Sequence, residues 1–169
     1  MKPFGKLLLL TLGSGLFAVV LPSIPSHPDD RCKPVHGTIN SVFTTLNCTS
    51  PVGLCTAGTI TSAGPLDAAT TFIAMEVAPS AGLPALEPGA NLSYSGELTI
   101  VAKHGTLVTH DLGVLDAAHL AFTEMERPAS GTGVFANPGN NVFFISGSIV
   151  DNGHGFRGDL SGILCADDN

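Results

Sequence analysis

The stretch LSYSGELTIVAKHGTLVTHDLG, residues 92 to 113, has the pattern of two β-strands joined by a tight turn. Apolar and polar residues alternate on both sides of the dipeptide His104-Gly105. Glycine in a two-residue loop permits the positive φ that tight hairpin turns require. A turn at this dipeptide places Leu98 opposite Asp111. The stretch therefore predicts a hairpin whose register is set by His104-Gly105.

One face of this hairpin is the more apolar, and we expect it to be the buried one. It carries Tyr94, Leu98, Ile100, Ala102, Leu107, Thr109 and Asp111. A carboxyl group in an apolar cavity has a raised pKa and could donate a proton to a guest or orient it. Asp111 is therefore the candidate catalytic residue, and Tyr94, Leu98, Thr109 and Asp111 are the candidate ligand-binding residues. The alternative is that Asp111 lies at the rim and accepts backbone N–H bonds in a turn before Gly113.

A second hairpin is predicted around Asn152-Gly153, a dipeptide that strongly favours two-residue β-turns. This turn places Val150 opposite Gly155 and Ile149 opposite Phe156. One face of this hairpin is strongly apolar and should contribute to a core: Phe143, Ile145, Ile149, Phe156, Leu160 and Leu164.

The rest of the chain shows further short segments of alternating character, punctuated by Gly, Pro and Asn, and no long helical period. The candidate strands are Val35–Leu46, Thr56–Ser62, Ala68–Val77, Leu92–Lys103, Thr106–Leu112, Leu120–Glu126, Asn141–Val150 and Gly155–Cys165. Many short strands separated by turns are typical of a β-sandwich or a closed barrel. We expect a single all-β domain over residues 32–165.

The first 26 residues have the features of a secretory signal peptide. Lys2 and Lys6 precede an apolar run from Leu7 to Leu21 that is short for a membrane span. The cleavage point falls between Leu21 and Asp30, and an uncleaved anchor is the alternative. The sequence thus predicts a secreted or periplasmic protein that is not held at the membrane once the signal is removed.

The predicted mature protein is acidic, with five basic residues against 14 acidic ones. Such a charge repels phosphate backbones and anionic lipid surfaces, so we expect neither nucleic acid nor membrane partners.

Four cysteines, all beyond the predicted signal peptide, favour two disulfides in an oxidising compartment. Four cysteines allow three pairings. Cys48 and Cys55 flank a short turn-like loop and are expected to pair locally, which leaves Cys32 and Cys165 to join the ends of the domain. A metal site is the rival interpretation, but the chain has no Cys-x-x-Cys, and no histidine lies at ligand spacing beside them.

The segment TEMERPASGTGVFANPGN, residues 123 to 140, resembles the E-M-x-x-x-x-G-T-G-x-F segment of plant dirigent proteins. The related allene oxide cyclases have a similar glycine-rich element. The flanking stretches ELTIVAKHGTLVTHDLG and GSIVDNGHGFRGDLSGILC resemble small secreted bacterial proteins without assigned function. The resemblance implies an eight-stranded antiparallel barrel with a central apolar cavity, no metal or organic cofactor, and a homo-oligomer that is often trimeric.

The remaining acidic residues and the histidines are expected to be structural. Glu124 and Glu126 share one strand face beside Arg127 and are interpreted as surface charge. The six histidines are scattered, mostly in turns or on the predicted outer face, so no metal site is predicted.

Three functions remain open. The first is binding of a small apolar guest inside the barrel without catalysis. The second is a cofactor-free cyclase or isomerase, or a stereo-directing protein, that uses Asp111 and Tyr94. The third is a structural or interaction protein whose barrel is filled by its own side chains. A cavity that contains Asp111 would favour the first two.

Overall fold

The computed structural model describes residues 32–80, 91–139 and 141–165, which form a closed barrel of eight antiparallel strands. The predicted signal peptide lies outside the described residues. The strands are β1 (Cys32–Phe43), β2 (Cys55–Ser62), β3 (Ala68–Pro79), β4 (Asn91–Ala102), β5 (Gly105–Asp116), β6 (Ala121–Gly131), β7 (Val142–Val150) and β8 (Gly155–Cys165). Each strand pairs with the next one in the chain, and β8 pairs with β1 to close the barrel. The predicted all-β class and the eight-stranded barrel are confirmed.

Closure of the barrel gives every strand two neighbours, so no long edge is left to pair with another chain. Two short 3-10 turns lie in the connections, Gly133–Phe135 between β6 and β7 and Asp151–Gly153 between β7 and β8. No helix in the described ranges is long and apolar enough to cross a membrane.

The register of the hairpin between β4 and β5 differs from the prediction. The chain turns at Lys103-His104, so that Ala102 pairs with Gly105 and Leu98 pairs with Thr109. The expected pairing of Leu98 with Asp111 is wrong by two residues, and Gly96 stands opposite Asp111 instead. Because side chains alternate with a period of two, this shift leaves the predicted inner face unchanged.

A contact from elsewhere in the chain accounts for the position of Gly105. A Cβ at this glycine would lie 2.1 Å from the carbonyl oxygen of Thr132, which follows β6. The N–H of Thr132 donates to the carbonyl of Thr106, and the N–H of Val134 donates to the carbonyl of His104. Gly105 is therefore needed where the segment after β6 crosses the hairpin, rather than inside the turn.

The hairpin between β7 and β8 has the predicted register. Val150 pairs with Gly155 and Ile149 pairs with Phe156. Asp151, Asn152 and Gly153 in the turn all have positive φ, as the Asn-Gly signal requires.

Both expected disulfides are present, between Cys32 and Cys165 and between Cys48 and Cys55. Cys32 and Cys165 are direct partners across β1 and β8, so the bond joins the first and last strands where the barrel closes.

The interior of the barrel differs between its two ends. At the end that carries the Cys32–Cys165 disulfide, large apolar side chains fill the space: Leu66, Ile100, Leu107, Phe135, Phe143 and Leu164. The other end is hollow and opens to solvent. The filled-barrel alternative therefore describes one half of the molecule only.

Candidate functional site

The hollow end of the barrel holds a cavity of about 120 Å³. Its walls come from the final residues of the odd-numbered strands and the first residues of the even-numbered ones. Apolar side chains form most of the lining: Ile39, Phe43, Leu54, Phe72, Ala74, Val77, Leu92, Leu98, Leu115, Phe122, Ile149 and Phe156. The polar groups in the lining belong to Thr56, Tyr94 and Glu124. The cavity is thus an apolar pocket in which Tyr94 and Glu124 form a polar patch on the β4–β6 wall, with Thr56 separate from them on β2.

Two of the four predicted ligand-binding residues, Tyr94 and Leu98, line this cavity. Thr109 and Asp111 lie deeper in the barrel and do not line it. All four are on the inner face of the β4–β5 hairpin, as the alternation predicts. Their role in ligand binding stays a prediction.

Tyr94 and Glu124 are joined across an intervening strand. Gly113 of β5 pairs with Tyr94 of β4 on one side and with Glu124 of β6 on the other. A Cβ at Gly113 would lie 2.3 Å from Cζ of Tyr94, so the tyrosine ring occupies the space that a side chain would take. The Tyr94 hydroxyl consequently reaches over β5 and donates a hydrogen bond of 2.7 Å to Oε2 of Glu124.

Glu126 also accepts a hydrogen bond from a hydroxyl group, and it lies two residues farther along β6 than Glu124, towards the filled end of the barrel. It pairs with Asp111 across β5 and β6, and its side chain is 1% exposed. The hydroxyl of Thr109 donates a hydrogen bond to its Oε2, whereas its Oε1 is buried without a hydrogen-bond partner. Glu126 therefore points into the barrel and has one oxygen free.

Asp111 lies inside the barrel, and the rim interpretation is wrong. Strand β5 continues past Gly113 to Asp116, so no turn begins there, and Asp111 is only 5% exposed. Neither of its carboxylate oxygens has a hydrogen-bond partner. Burial raises the pKa of Asp111, and the backbone N–H groups of Asp111 and Gly96 approach the carboxylate closely enough to oppose part of that rise. Neither contact has the geometry of an ordinary hydrogen bond.

Asp111, Glu124 and Glu126 form one cluster, which we call the carboxylate triad. One oxygen from each residue lies within 4.8 Å of those of the other two. The interpretation of Glu124 and Glu126 as surface charge is therefore wrong. The sequence did contain a signal for their true position. Glu124 and Glu126 are two and four residues after Phe122 on β6, so they lie on the same face as this buried phenylalanine. Charged residues are normally exposed, and the prediction of surface charge followed that rule instead of the alternation.

The burial of the triad has a clear electrostatic consequence. Removal from water raises the pKa of Asp111 to about 7. The same effect, reinforced by the charge of Asp111, raises the pKa of Glu124 to about 8 against the opposing hydrogen bond from Tyr94. Burial and the charge of Glu124 raise the pKa of Glu126 well above its ordinary value. Burial beside Glu124 also raises the pKa of Tyr94, which keeps the phenol protonated.

The site therefore combines an apolar cavity with a wall that can act as a hydrogen-bond donor or acceptor. A protonated carboxyl group near neutral pH can donate a proton, and an ionised one can accept it or attract a cation. Comparisons of the chain with models of known protein families, with curated proteins and with solved structures find no match.

Proposed function

We propose that the protein binds a small, mainly apolar molecule in the hollow end of its barrel. The observation that carries this proposal is the cavity, whose lining is apolar except for Thr56, Tyr94 and Glu124. A few polar groups in an apolar concave site are typical of small-molecule pockets, where the apolar walls supply affinity and the polar groups supply orientation.

The size of the cavity restricts the guest. An enclosed apolar cavity of about 150 Å³ is known to hold benzene, and this one measures about 120 Å³. A single ring or a branched chain of similar bulk fits within it, and a longer guest must extend through the mouth. We therefore propose a guest of monocyclic size with one hydroxyl or carbonyl group, which Glu124 and Tyr94 would hydrogen-bond.

The composition of the chain supplies a direct assay. Tyr94 is its single tyrosine and there is no tryptophan, so tyrosine fluorescence reports on the cavity wall alone. We expect saturable changes in this fluorescence on titration with cyclic alcohols and ketones that do not absorb in the near ultraviolet. Extraction and mass spectrometry of the purified protein would identify any guest that is carried through purification.

A matched pair of variants on β5 tests the location of binding. Leu115 lines the cavity, whereas Leu112 lies on the outer face and is 61% exposed. Leu115→Phe should fill part of the cavity and weaken binding, and Leu112→Phe should leave binding unchanged. Equal affinities for the two variants, or no saturable response from any guest, would rule out this cavity as the site.

A cofactor-free isomerase or cyclase is the second candidate, and the Tyr94–Glu124 hydrogen bond at the cavity wall favours it. This pair could pass a proton to a bound guest and take one back, with no net change in its own protonation. Incubation of a bound guest with the protein, followed by mass spectrometry and chiral chromatography, distinguishes the two functions. A guest recovered unchanged from wild type argues for binding alone, whereas a new isomer that Glu124→Gln does not form argues for catalysis.

A further inference from the structure

We propose that Asp111, Glu124 and Glu126 form a binding site for a hard divalent cation, and that Ca²⁺ is the ion that fits it best. This inference does not depend on the proposed apolar guest. It rests on the geometry of the carboxylate triad and on buried carboxylate oxygens that lack a hydrogen bond of ordinary geometry.

The unsatisfied oxygens are the first argument. Asp111 is 5% exposed and Glu126 is 1% exposed, and three of their four carboxylate oxygens have no hydrogen-bond partner. A buried polar group without a partner is costly, and buried carboxylates are normally paired or bound to metal ions. A cation between these side chains would give both carboxylates a partner that the protein itself does not supply.

The spacing of the triad is the second argument. Two oxygens bound to one ion can be no farther apart than twice the metal–oxygen distance. That limit is about 4.6–5.2 Å for Ca²⁺ and about 4.0–4.2 Å for Mg²⁺. The three donor oxygens lie within 4.8 Å of one another. Because 4.8 Å is an upper bound, this spacing allows the three side chains to share one ion and does not by itself distinguish the two cations. Ca²⁺ is preferred because its coordination is flexible and accepts several carboxylates, whereas Mg²⁺ demands near-ideal octahedral geometry and is usually bound through one or two carboxylates.

The chemistry of the donors points to the same class of ion. The triad contains only carboxylate oxygens, which suit Ca²⁺, Mg²⁺ and Mn²⁺, and none of the thiolate or imidazole groups that favour Zn²⁺. Three ionised carboxylates around one divalent ion leave a single net negative charge, which is far less costly to bury than three.

Two hydroxyl groups donate hydrogen bonds to carboxylates of the triad. Metal-binding carboxylates are commonly hydrogen-bonded in this way by neighbouring groups that do not themselves touch the ion. Thr109 donates to Oε2 of Glu126, and Tyr94 donates to Oε2 of Glu124. Hydrogen bonds of this kind orient ligating carboxylates and usually affect metal affinity. Glu124 also lines the cavity, so an ion and its remaining water ligands have a route from solvent.

Terbium luminescence provides a specific test, because Tb³⁺ occupies Ca²⁺ sites and emits when a nearby tyrosine is excited. Tyr94 is the single tyrosine of the chain, and its hydroxyl donates a hydrogen bond to Glu124 of the triad. The purified protein, freed of metal with a chelator, should show saturable emission with one Tb³⁺ per chain. Ca²⁺ should displace Tb³⁺ at lower concentrations than Mg²⁺ does.

Matched variants assign the ion to the triad. Asp111→Asn and Glu126→Gln keep the shape of the side chains and should weaken Tb³⁺ and Ca²⁺ binding by at least about tenfold. The control is Asp159→Asn, an exposed aspartate on β8, which should bind like wild type. Circular dichroism of each variant checks that the barrel is intact.

The outcomes separate this proposal from that of the apolar guest. Leu115→Phe should retain Ca²⁺ binding, and Glu126→Gln should retain the tyrosine response to a guest, because Glu126 does not line the cavity. The cation site is ruled out if wild type gives no sensitised emission and no calorimetric response to Ca²⁺. It is equally ruled out if folded Asp111→Asn binds Ca²⁺ as tightly as Asp159→Asn does.

Discussion

The hydroxyl of Tyr94 lies 2.7 Å from Oε2 of Glu124, although the two residues belong to strands separated by β5. The absence of a side chain at Gly113 makes this contact possible, because the tyrosine ring lies over that glycine. The bond fixes one member of the carboxylate triad at the cavity wall. It therefore connects the apolar pocket to the buried acidic groups behind it.

Gly113→Ala should disrupt this connection. The added Cβ would lie 2.3 Å from Cζ of Tyr94 and would force the ring to move. Overpacking of this kind costs about 1–3 kcal/mol, and the loss of the bond to Glu124 adds to it. Urea denaturation monitored by circular dichroism measures the change. Gly64→Ala is the control, since a Cβ there meets nothing within 4 Å, and equal losses in the two variants would contradict the prediction.

The carboxylate triad predicts that the metal-free protein is less stable at pH 8 than at pH 5. The pKa of Asp111 rises from 3.8 to about 7 on folding, and that of Glu124 rises from 4.5 to about 8. Each carboxyl group therefore holds its proton more tightly in the folded state. Its contribution to stability is complete below about pH 4 and is lost as the pH rises through the folded pKa.

Urea denaturation between pH 5 and pH 8, with a chelator present, measures this effect. Each tenfold change in an ionisation constant corresponds to about 1.4 kcal/mol, so the free energy of unfolding should fall by a few kcal/mol. Asp111→Asn should reduce the slope, because asparagine stays neutral throughout this range. A wild-type stability that increases steadily from pH 5 to pH 8 would contradict the prediction.

The two disulfides should differ in their contribution to stability. Cys32 and Cys165 are 133 residues apart in sequence, whereas Cys48 and Cys55 are separated by 7. The entropy of loop closure in the unfolded chain predicts stabilisation of about 5 kcal/mol for the long loop and about 2 kcal/mol for the short one.

Replacement of each cysteine pair by serines tests this difference. The Cys32→Ser, Cys165→Ser protein should unfold at lower urea concentration than the Cys48→Ser, Cys55→Ser protein. If the protein without the Cys48–Cys55 bond unfolds at the lower urea concentration, loop-closure entropy in the unfolded chain does not determine the relative contributions of the two disulfides.

A row of apolar side chains on the outer face predicts self-association. Leu112, Met125 and Phe144 are neighbours across β5, β6 and β7, and Leu112 and Phe144 are 61% and 46% exposed. Exposed apolar patches often mark protein–protein contacts. Light scattering after size-exclusion chromatography should therefore give a mass above that of the monomer.

The variant Phe144→Ser should shift this mass towards the monomer, whereas Val101→Ser should not. Val101 is also exposed, but it lies on β4 near the filled end. A monomeric wild-type protein, or equal masses for both variants, would contradict the predicted interface.

Local sequence patterns predicted much of the fold. Alternation identified the inner face that carries Leu98, Thr109 and Asp111, and the Asn152-Gly153 turn predicted the register of β7 and β8 correctly. The even number of cysteines and the short loop between Cys48 and Cys55 indicated both disulfides. These features depend on neighbours in sequence, or on a pattern that repeats along a strand, so the sequence by itself determined them.

Other features were decided by the tertiary structure. A register shift of two residues leaves alternation unchanged, so the pattern could not distinguish the pairing of Leu98 with Asp111 from its pairing with Thr109. The contact between Gly105 and Thr132, which accompanies the observed register, joins segments distant in sequence. The charge of Glu124 and Glu126 suggested an exposed face, and only closure of the barrel places them beside Asp111. Whether the interior is filled or hollow depends on side chains from all eight strands together. Alternation predicts whether a side chain lies on the inner or the outer face of a strand. Its neighbours inside the barrel depend on how all eight strands close around it.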